Sequence, residues 1–304
     1  MKSLIATIVL MMTAAFGTAA VAQNLAAPYL LFSNSVEGTG FGSAYTSLAE
    51  DASATYWNPA GLSEVKSYSF SSMASIGLGL DRNFNTASFA LRLPVGVMAA
   101  SFSSSGVSDV EGYDENNAKT GTFNVVNSVA GVSYSARAND NLSLGATARY
   151  INQNLNVFAD NGYTVDFGAR YKLPLAGQNL ILSGVMQNII GELGVNDLPK
   201  VLRIGAGMNL AGGFIADVDF VHEDLFGSGG RQMLNYGAGY RASFQDNFVV
   251  NAHGGINNSK YLSAGLGLGL QISKMELVVD YAYVNEPSAI FGQSHRVGLS
   301  LNGL

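Results

Sequence analysis

Three histidines, His222, His253 and His295, are the first residues to consider for catalysis or metal binding. They lie far apart, without the spacing that places several ligands on one metal ion. Ser294 precedes His295, but neighbouring residues of a strand point to opposite faces and cannot act as a catalytic pair. The chain has no cysteine, which excludes disulfides, thiolate zinc sites and thiol nucleophiles. We therefore expect no catalytic residue, metal or cofactor, and the chain is not predicted to be an enzyme.

The overall composition is unusual for a water-soluble domain. Among 304 residues, 12% are charged, against about 25% in typical domains, and glycine occurs 36 times. The net charge is −6 and there is no dense cluster of lysine and arginine, which argues against a nucleic-acid partner. The apolar content of 48% is too high for a disordered chain.

Residues 1–22 have the features of a signal peptide. A positive start at Lys2 is followed by an apolar stretch from Leu4 to Met12, and Ala20-Val21-Ala22 forms an A-x-A cleavage pattern. We expect cleavage before Gln23 and export to the bacterial outer membrane.

The rest of the chain alternates apolar residues with small or polar ones. Between 262 and 271, leucines and Ala264 occupy one face, while serine, glycines and Gln271 occupy the other. This alternation predicts strands with two different faces. Because the second face contains few lysines and glutamates, it suits a polar lumen better than a water-exposed sheet. We predict an all-β transmembrane barrel with lipid outside and an N-terminal plug.

Fourteen strands are predicted, an even number as single-chain outer-membrane barrels require. They cover 66–79, 83–93, 95–107, 124–138, 140–155, 161–172, 178–190, 200–210, 213–223, 231–243, 246–256, 260–272, 274–285 and 294–304. Turns are predicted at Ala138–Asn141, Asp160–Gly162, Gly212–Gly213 and Asn257–Asn258. Tyrosines near predicted strand ends suggest aromatic girdles: Tyr150, Tyr171, Tyr240, Tyr261, Tyr281 and Tyr283.

In this register, charges of both signs fall on the lumen face. They are Arg149, Arg170, Lys172, Arg203, Arg241 and Arg296, with Asp166, Asp217, Asp219, Glu276 and Asp280. Because a desolvated charge is costly unless paired, we expect pairs across strands. The lumen charges form either a selectivity lining or a neutral network that fills the barrel, and their near balance favours the network.

Residues 23–64, here called the plug, do not read as a transmembrane hairpin; we assign residues 65–304 to the barrel. Gly38–Gly42 is expected to be flexible, a short helix is expected near 44–50, and Asp51 or Ser53 is expected to cap a turn. Asn58-Pro59-Ala60-Gly61 predicts a stiff turn directly after Trp57. The plug either fills the lumen or lies under the barrel.

The stretch Asp51–Leu62, which includes Tyr56, Trp57, Asn58, Pro59, Ala60 and Gly61, resembles the N-terminal motif of the PorV/PorQ family of outer-membrane barrels. That family is related to the FadL fatty-acid transporters, whose hatch holds a similar Asn-Pro-Ala. Further similar stretches are Gly131–Tyr134, Leu142–Gly145, Gln187-Asn188, Leu198–Gly205 and Phe291–Val297. The resemblance implies a fourteen-strand barrel, in agreement with the strand pattern.

Three functions follow as hypotheses. The PorV/PorQ resemblance implies an accessory role in type IX-like protein secretion or surface assembly, with a large translocon and exported proteins as partners. The relationship to FadL implies instead a channel for hydrophobic molecules such as fatty acids, with an apolar pocket at Phe41, Tyr45, Tyr56, Trp57 and Leu62. A general diffusion porin is disfavoured by the balanced lumen and the plug. We predict the secretion role, with the hydrophobic channel as the alternative.

Overall fold

The computed structural model describes residues 26–78, 82–155, 158–175, 177–225, 230–244, 247–285 and 293–304. The predicted signal peptide at 1–22, the first three residues of the plug, and residues 291–292 of the last similar stretch lie outside these ranges. No helix among the described residues is long and apolar enough to span a membrane.

The described residues form a closed antiparallel barrel of fourteen strands, with one extra two-residue strand. The barrel closes because β1 pairs with β15 and β6 pairs with β7, while the extra strand β8 pairs only with β7. The strands are β1 Tyr68–Ile76, β2 Arg82–Leu93, β3 Gly96–Tyr113, β4 Lys119–Arg137, β5 Leu142–Leu155, β6 Phe158–Leu175, β7 Gln178–Leu193, β8 Asn196–Asp197, β9 Val201–Asn209, β10 Phe214–His222, β11 Gln232–Phe244, β12 Phe248–Asn257, β13 Leu262–Ile272, β14 Met275–Asn285 and β15 Gln293–Gly303. The predicted fold class is confirmed.

Two ends of the barrel differ in their connections. Short turns at 94–95, 138–141 and 273–274 lie at the end where β1 begins and β15 ends, which we call the short-turn end. The opposite end, which we call the long-loop end, carries longer connections and the extended β3–β4 pair. Outer-membrane barrels have short periplasmic turns and longer extracellular loops, so the short-turn end faces the periplasm.

The predicted turn at Asp160–Gly162 is wrong. These residues lie in β6, where Asp160 pairs with Gln153 and Asn161 pairs with Asn152 of β5. The Asn152 amide donates to Asn161 Oδ1 at 2.8 Å. Residue types that usually form turns are therefore part of a β-strand here. The neighbouring strand supplies hydrogen-bond partners for their backbone groups, and paired asparagine side chains bond to each other.

The outer face is apolar, as the alternation predicts. Along β13, Leu262, Leu266, Leu268, Leu270 and Ile272 are exposed, whereas Ser263 is buried. A row of exposed leucines is unfavourable in water and favourable against lipid. Of the six tyrosines expected in girdles, Tyr171 and Tyr240 lie toward the short-turn end and the others lie in the long-loop half.

The plug contains short helical segments only. They are the 3₁₀ helix Pro28–Leu31, helix α1 Val36–Gly40, helix α2 Ala54–Trp57 and the 3₁₀ helix Pro59–Glu64; a further 3₁₀ turn, Ala211–Gly213, connects β9 and β10.

The helix expected near 44–50 is wrong, and residues 38–40 of the stretch expected to be flexible lie in helix α1. Residues 45–49 form one turn, and α1 forms earlier because Ser35 Oγ accepts from the Gly38 N–H at 3.2 Å. Tertiary bonds to the barrel override the local propensities of these small residues.

Candidate functional site

The Asn-Pro-Ala-Gly motif is a buried turn pressed against the barrel wall. Asn58 Oδ1 accepts from the Ala60 N–H at 3.1 Å and so caps the 3₁₀ helix that follows. Asn58 Nδ2 donates to the carbonyls of Thr46 at 3.3 Å and Ala169 at 3.2 Å. The asparagine therefore joins two parts of the plug to β6, while Pro59 fixes the turn.

Inward-facing glycines make room for this turn. A Cβ atom at Gly145 or Gly168 would collide with Pro59 or Asn58. The same holds elsewhere in the lumen, where the wall glycines in contact with the plug are Gly205, Gly207, Gly237, Gly239, Gly255 and Gly298. The glycine-rich face of the strands therefore leaves the space that the plug occupies. The plug fills the lumen and does not lie beneath the barrel.

Trp57 is at the centre of the plug. It is fully buried, and its Nε1 donates to Ser35 Oγ at 2.9 Å. Its ring meets Tyr45 and Tyr56 edge-on, with centroid distances of 5.7 and 5.2 Å. The Arg203 guanidinium lies 5.5 Å from the indole centroid, within the range of a cation–π contact.

The residues expected to contact an apolar ligand are packed against each other and the wall. Phe41, Tyr45 and Leu62 are all buried in one apolar cluster with Trp57. Phe41 stacks on His253 of β12 with 5.1 Å between ring centroids. These side chains occupy the lumen; Phe41 and Tyr45 alone among them also border a cavity at the short-turn end.

Cross-strand ion pairs are present for some of the lumen charges. Arg149 pairs with Asp166 at 2.5 Å, and Arg241 pairs with Glu276 at 2.6 Å. The expectation of cross-strand pairing is wrong for several others, because they bind the plug instead. Asp219 Oδ2 accepts from the N–H groups of Tyr45 at 3.0 Å and Thr46 at 2.9 Å.

Basic wall residues of β6 bind acidic plug residues. Arg170 binds Glu50 and, at 3.2 Å, Glu64; Lys172 binds Glu64 at 2.7 Å. Asp217 Oδ2 accepts from the Ser47 N–H at 3.2 Å. The wall thus satisfies backbone and carboxylate groups of the plug that would otherwise be buried without partners.

The charge state of Glu64 follows from these contacts. Burial acts to raise the pKa of the Glu64 carboxyl, but the Lys172 hydrogen bond and the Arg170 charge outweigh it. They hold the pKa below its usual value of 4.5. Glu64 is therefore ionised near neutral pH and attracts the basic wall residues.

Three further charges predicted to face the lumen, Arg203, Asp280 and Arg296, each have a different environment. Arg203 donates to Gln187 Oε1 at 3.0 Å and to the Tyr56 hydroxyl at 3.4 Å. Asp280 is buried and faces the cavity at the short-turn end. Arg296 is also buried and donates to the His295 carbonyl at 3.2 Å.

A bulge in β7 was not predicted. Between the pairs Val165–Ile190 and Phe167–Met186 the register shifts, and Gln187 and Asn188 are both buried. Two successive inward side chains break the alternation on which strand prediction rests. The Asn188 N–H donates to Asp166 Oδ1 at 2.9 Å, so the bulge joins the lumen network.

The sequence reasoning also missed the plug acids Glu37, Glu50 and Glu64 as functional residues. Their signal was available, because Glu37, Glu64 and the Glu50-Asp51 pair are the only acidic residues of a plug otherwise rich in small and apolar residues. The histidines lie on separate strands, β10, β12 and β15, as expected.

Solved structures with the same architecture are outer-membrane transport proteins. The barrel superposes on the toluene transporter TodX of Pseudomonas putida with a TM-score of 0.56 at 12% identity, over 86% of this chain and 97% of that one. The fold is FadL-like. Matches to the toluene transporter TbuX of Ralstonia pickettii and to a Pseudomonas aeruginosa FadL homologue have TM-scores of 0.58 and 0.55 at 11% and 12% identity, each over 89% of this chain and 98% of the other.

The wider relationship predicted from the sequence is confirmed at the level of fold, whereas none of these structures is specific to PorV or PorQ. The FadL-like fold and the apolar outer face support the expected location in the bacterial outer membrane. Both TodX and TbuX are described as toluene transporters. No protein-family model and no curated protein matches the chain.

Proposed function

We propose that this chain is a plugged outer-membrane channel that takes up hydrophobic small molecules. The observation that carries the proposal is a partial ring of inward-facing apolar residues in the long-loop half of the lumen, contributed by strands between β1 and β11. The ring consists of Met73, Phe84, Val129, Ile151, Leu193, Val201, Val221 and Met233. We call it the apolar ring.

The plug meets this ring through Tyr29, Leu30 and Leu31, which pack on different sectors of the wall, and through Phe32, whose ring lies 5.4 Å from that of Phe84. A hydrophobic solute arriving from outside would exchange these plug contacts for its own. The exchange loses little apolar burial, so the solute can displace residues 28–32 without a large penalty.

The structural relatives support the same class of solute. TodX and TbuX are toluene transporters, and another barrel of this fold is the monoaromatic hydrocarbon channel CymD. Toluene and a long-chain fatty acid are therefore the first probes to use.

The test is binding of radiolabelled toluene and oleate to delipidated full-length protein in nanodiscs. Val221→Ser should weaken binding several-fold, because it places a hydroxyl in the apolar ring. Val249→Ser is the matched control, since Val249 is a similarly buried, inward-facing valine in the short-turn half. If neither probe binds, or if both variants lose binding equally, the proposal fails.

The predicted role in type IX-like secretion stays a prediction from sequence resemblance. Purification from native outer membrane in mild detergent distinguishes the two functions. Co-purification of a very large barrel in fixed stoichiometry would favour secretion, and a bound apolar molecule without a protein partner would favour uptake.

A further inference from the structure

A second region of the lumen, at the short-turn end, has the opposite chemistry from the apolar ring. A cavity of about 390 Å³ lies there between the plug and strands β1, β9 to β12, β14 and β15. Its border includes the first residues of β1 and the last residues of β15, so it opens toward the periplasm. We call it the short-turn chamber. Its volume falls within the range of small-molecule sites.

Three carboxylates facing the chamber have no ion-pair partner among the described residues. Glu37 accepts from the Tyr45 hydroxyl at 2.9 Å, and Asp51 accepts from the Ser53 N–H at 2.9 Å and its hydroxyl at 2.6 Å. Asp280 accepts only from the Ser300 hydroxyl, at 3.4 Å. The three also border one small space beside Ser35 and Ser300.

The basic groups near the chamber do not neutralise these acids. Arg241 is held by both carboxylate oxygens of Glu276, at 2.7 and 2.6 Å. Lys66 is at the rim, where the plug joins β1. The inner part of the chamber therefore has more acidic side chains than basic ones.

Two buried oxygens in the chamber wall accept no hydrogen bond from the described residues. They are Oδ1 of Asp280 and Oδ1 of Asn251, and each side chain is 6% exposed. Asn251 and Asp280 both pair with Gly267, which lies between them in the sheet. Because Gly267 has no side chain, Asp280 Oδ1 leans over it toward Asn251; a Cβ at Gly267 would collide with that oxygen.

A ligand that complements this wall must bring positive charge and several hydrogen-bond donors. Among the described residues, no group of three or more acidic or histidine side chains is arranged to hold a metal ion. An alkylammonium group carries both features, with three N–H donors on one charge. Its bonds to carboxylates are charge-assisted and therefore strong.

We propose that the short-turn chamber binds a small organic ammonium ion, with Asp280 and Glu37 as the principal contacts and Asn251 as a further acceptor. This inference goes beyond hydrophobic uptake and does not depend on it, because the chamber and the apolar ring occupy opposite halves of the lumen.

Equilibrium dialysis of full-length protein in nanodiscs of zwitterionic lipid, with radiolabelled 1,4-diaminobutane as the probe, tests the proposal. Saturable binding at one site per chain is expected at low salt. Asp280→Asn and Glu37→Gln should each weaken it about tenfold or more, since each removes a charge-assisted bond. Lys66→Gln should strengthen it about two- to threefold by removing a like charge from the rim.

Glu115→Gln is the control, because it removes one acidic charge from an exposed turn at the other end of the barrel. Glu37→Gln and Lys66→Gln keep the test informative if Asp280→Asn does not fold. No saturable binding at millimolar diamine overturns the proposal, and so does equal binding by Glu37→Gln and wild type. Binding of Mg²⁺ or Ca²⁺ in place of the diamine also overturns it. Toluene binding in the same nanodiscs should be unchanged throughout, so failure here is separate from failure of the uptake function.

Discussion

The two halves of the lumen hold the plug by different forces. In the long-loop half, Tyr29, Leu30 and Leu31 pack on the apolar ring, and the contacts are non-directional. From the middle of the lumen to the short-turn end, four charged wall residues bind specific plug atoms: Asp217, Asp219, Arg170 and Lys172. An apolar molecule can replace the apolar packing contacts of the plug. The same molecule cannot replace directed hydrogen bonds and ion pairs. The long-loop half is thus suited to exchange with a solute, and the short-turn half is suited to holding the plug in place.

Two single-cysteine reporters make this comparison measurable. The chain has no native cysteine, so a thiol introduced at one plug position is labelled at that position alone. Leu30→Cys reports on the long-loop half and Leu48→Cys on the short-turn half; both leucines are half-buried plug residues. The labelling rate of each reporter measures how often its part of the plug leaves the wall.

The largest effect is expected for Trp57→Ala, at the junction of the two halves. It removes a fully buried indole and its bond to Ser35, which should cost about 3–5 kcal/mol of plug docking. Both reporters should label faster by at least tenfold. If only one reporter responds, the two halves of the plug are not coupled through Trp57.

Ile151→Ala should act on the long-loop half alone. Ile151 is fully buried in the cluster with Tyr29, and its truncation should cost about 2–5 kcal/mol. The Leu30→Cys reporter should label faster while Leu48→Cys is unchanged. Ile181→Ala is the matched control, because Ile181 is also buried but belongs to none of the clusters that include the plug.

Asp219→Ala should give the converse result. It leaves the buried N–H groups of Tyr45 and Thr46 without their acceptor, at about 1–3 kcal/mol. The Leu48→Cys reporter should label faster and Leu30→Cys should not. Asp160→Ala, an exposed aspartate at the long-loop end, is the control. Equal acceleration of both reporters would contradict the division into halves.

The smallest effect, about 1 kcal/mol, is expected for Glu64→Gln, and it should depend on pH. Because the folded pKa of Glu64 is lowered, its stabilising contribution is present above about pH 4.5 and is lost as the pH falls through the lowered value. Labelling of Leu48→Cys with a reagent active in acid should be faster in Glu64→Gln at neutral pH and should converge with the parent as the pH falls from 4.5 through the lowered pKa of Glu64. A difference that persists in acid would show that charge is not its cause.

Most of the barrel was predictable from the sequence because lipid and lumen impose opposite demands on alternate residues. That pattern predicts β13 and β14 to within two residues at either end. It fails at Gln187 and Asn188, where two inward residues follow each other. It also fails at Asp160–Gly162, where turn-forming residues continue a ladder.

The plug was less predictable because its conformation depends on partners far away in the sequence. Trp57 Nε1 donates to Ser35 Oγ across 22 positions, and Asp219 accepts from the Tyr45 N–H across 174 positions. No local pattern encodes these bonds. The lumen charges were assigned to the correct face, but their partners could not be, since the plug competes with neighbouring strands for them.

The position of the plug has a consequence for assembly of the protein. The plug precedes β1, and β1 pairs with β15, the last strand of the chain. The seam of the barrel therefore closes only when β15 reaches β1, and we expect the plug to lie between the open edges before it does. Because β11 and β12 carry glycines that contact Phe41 of the plug, the C-terminal strands can wrap around a preformed plug. The plug then acts as a template for closure of the barrel, and it also blocks the lumen of the closed barrel.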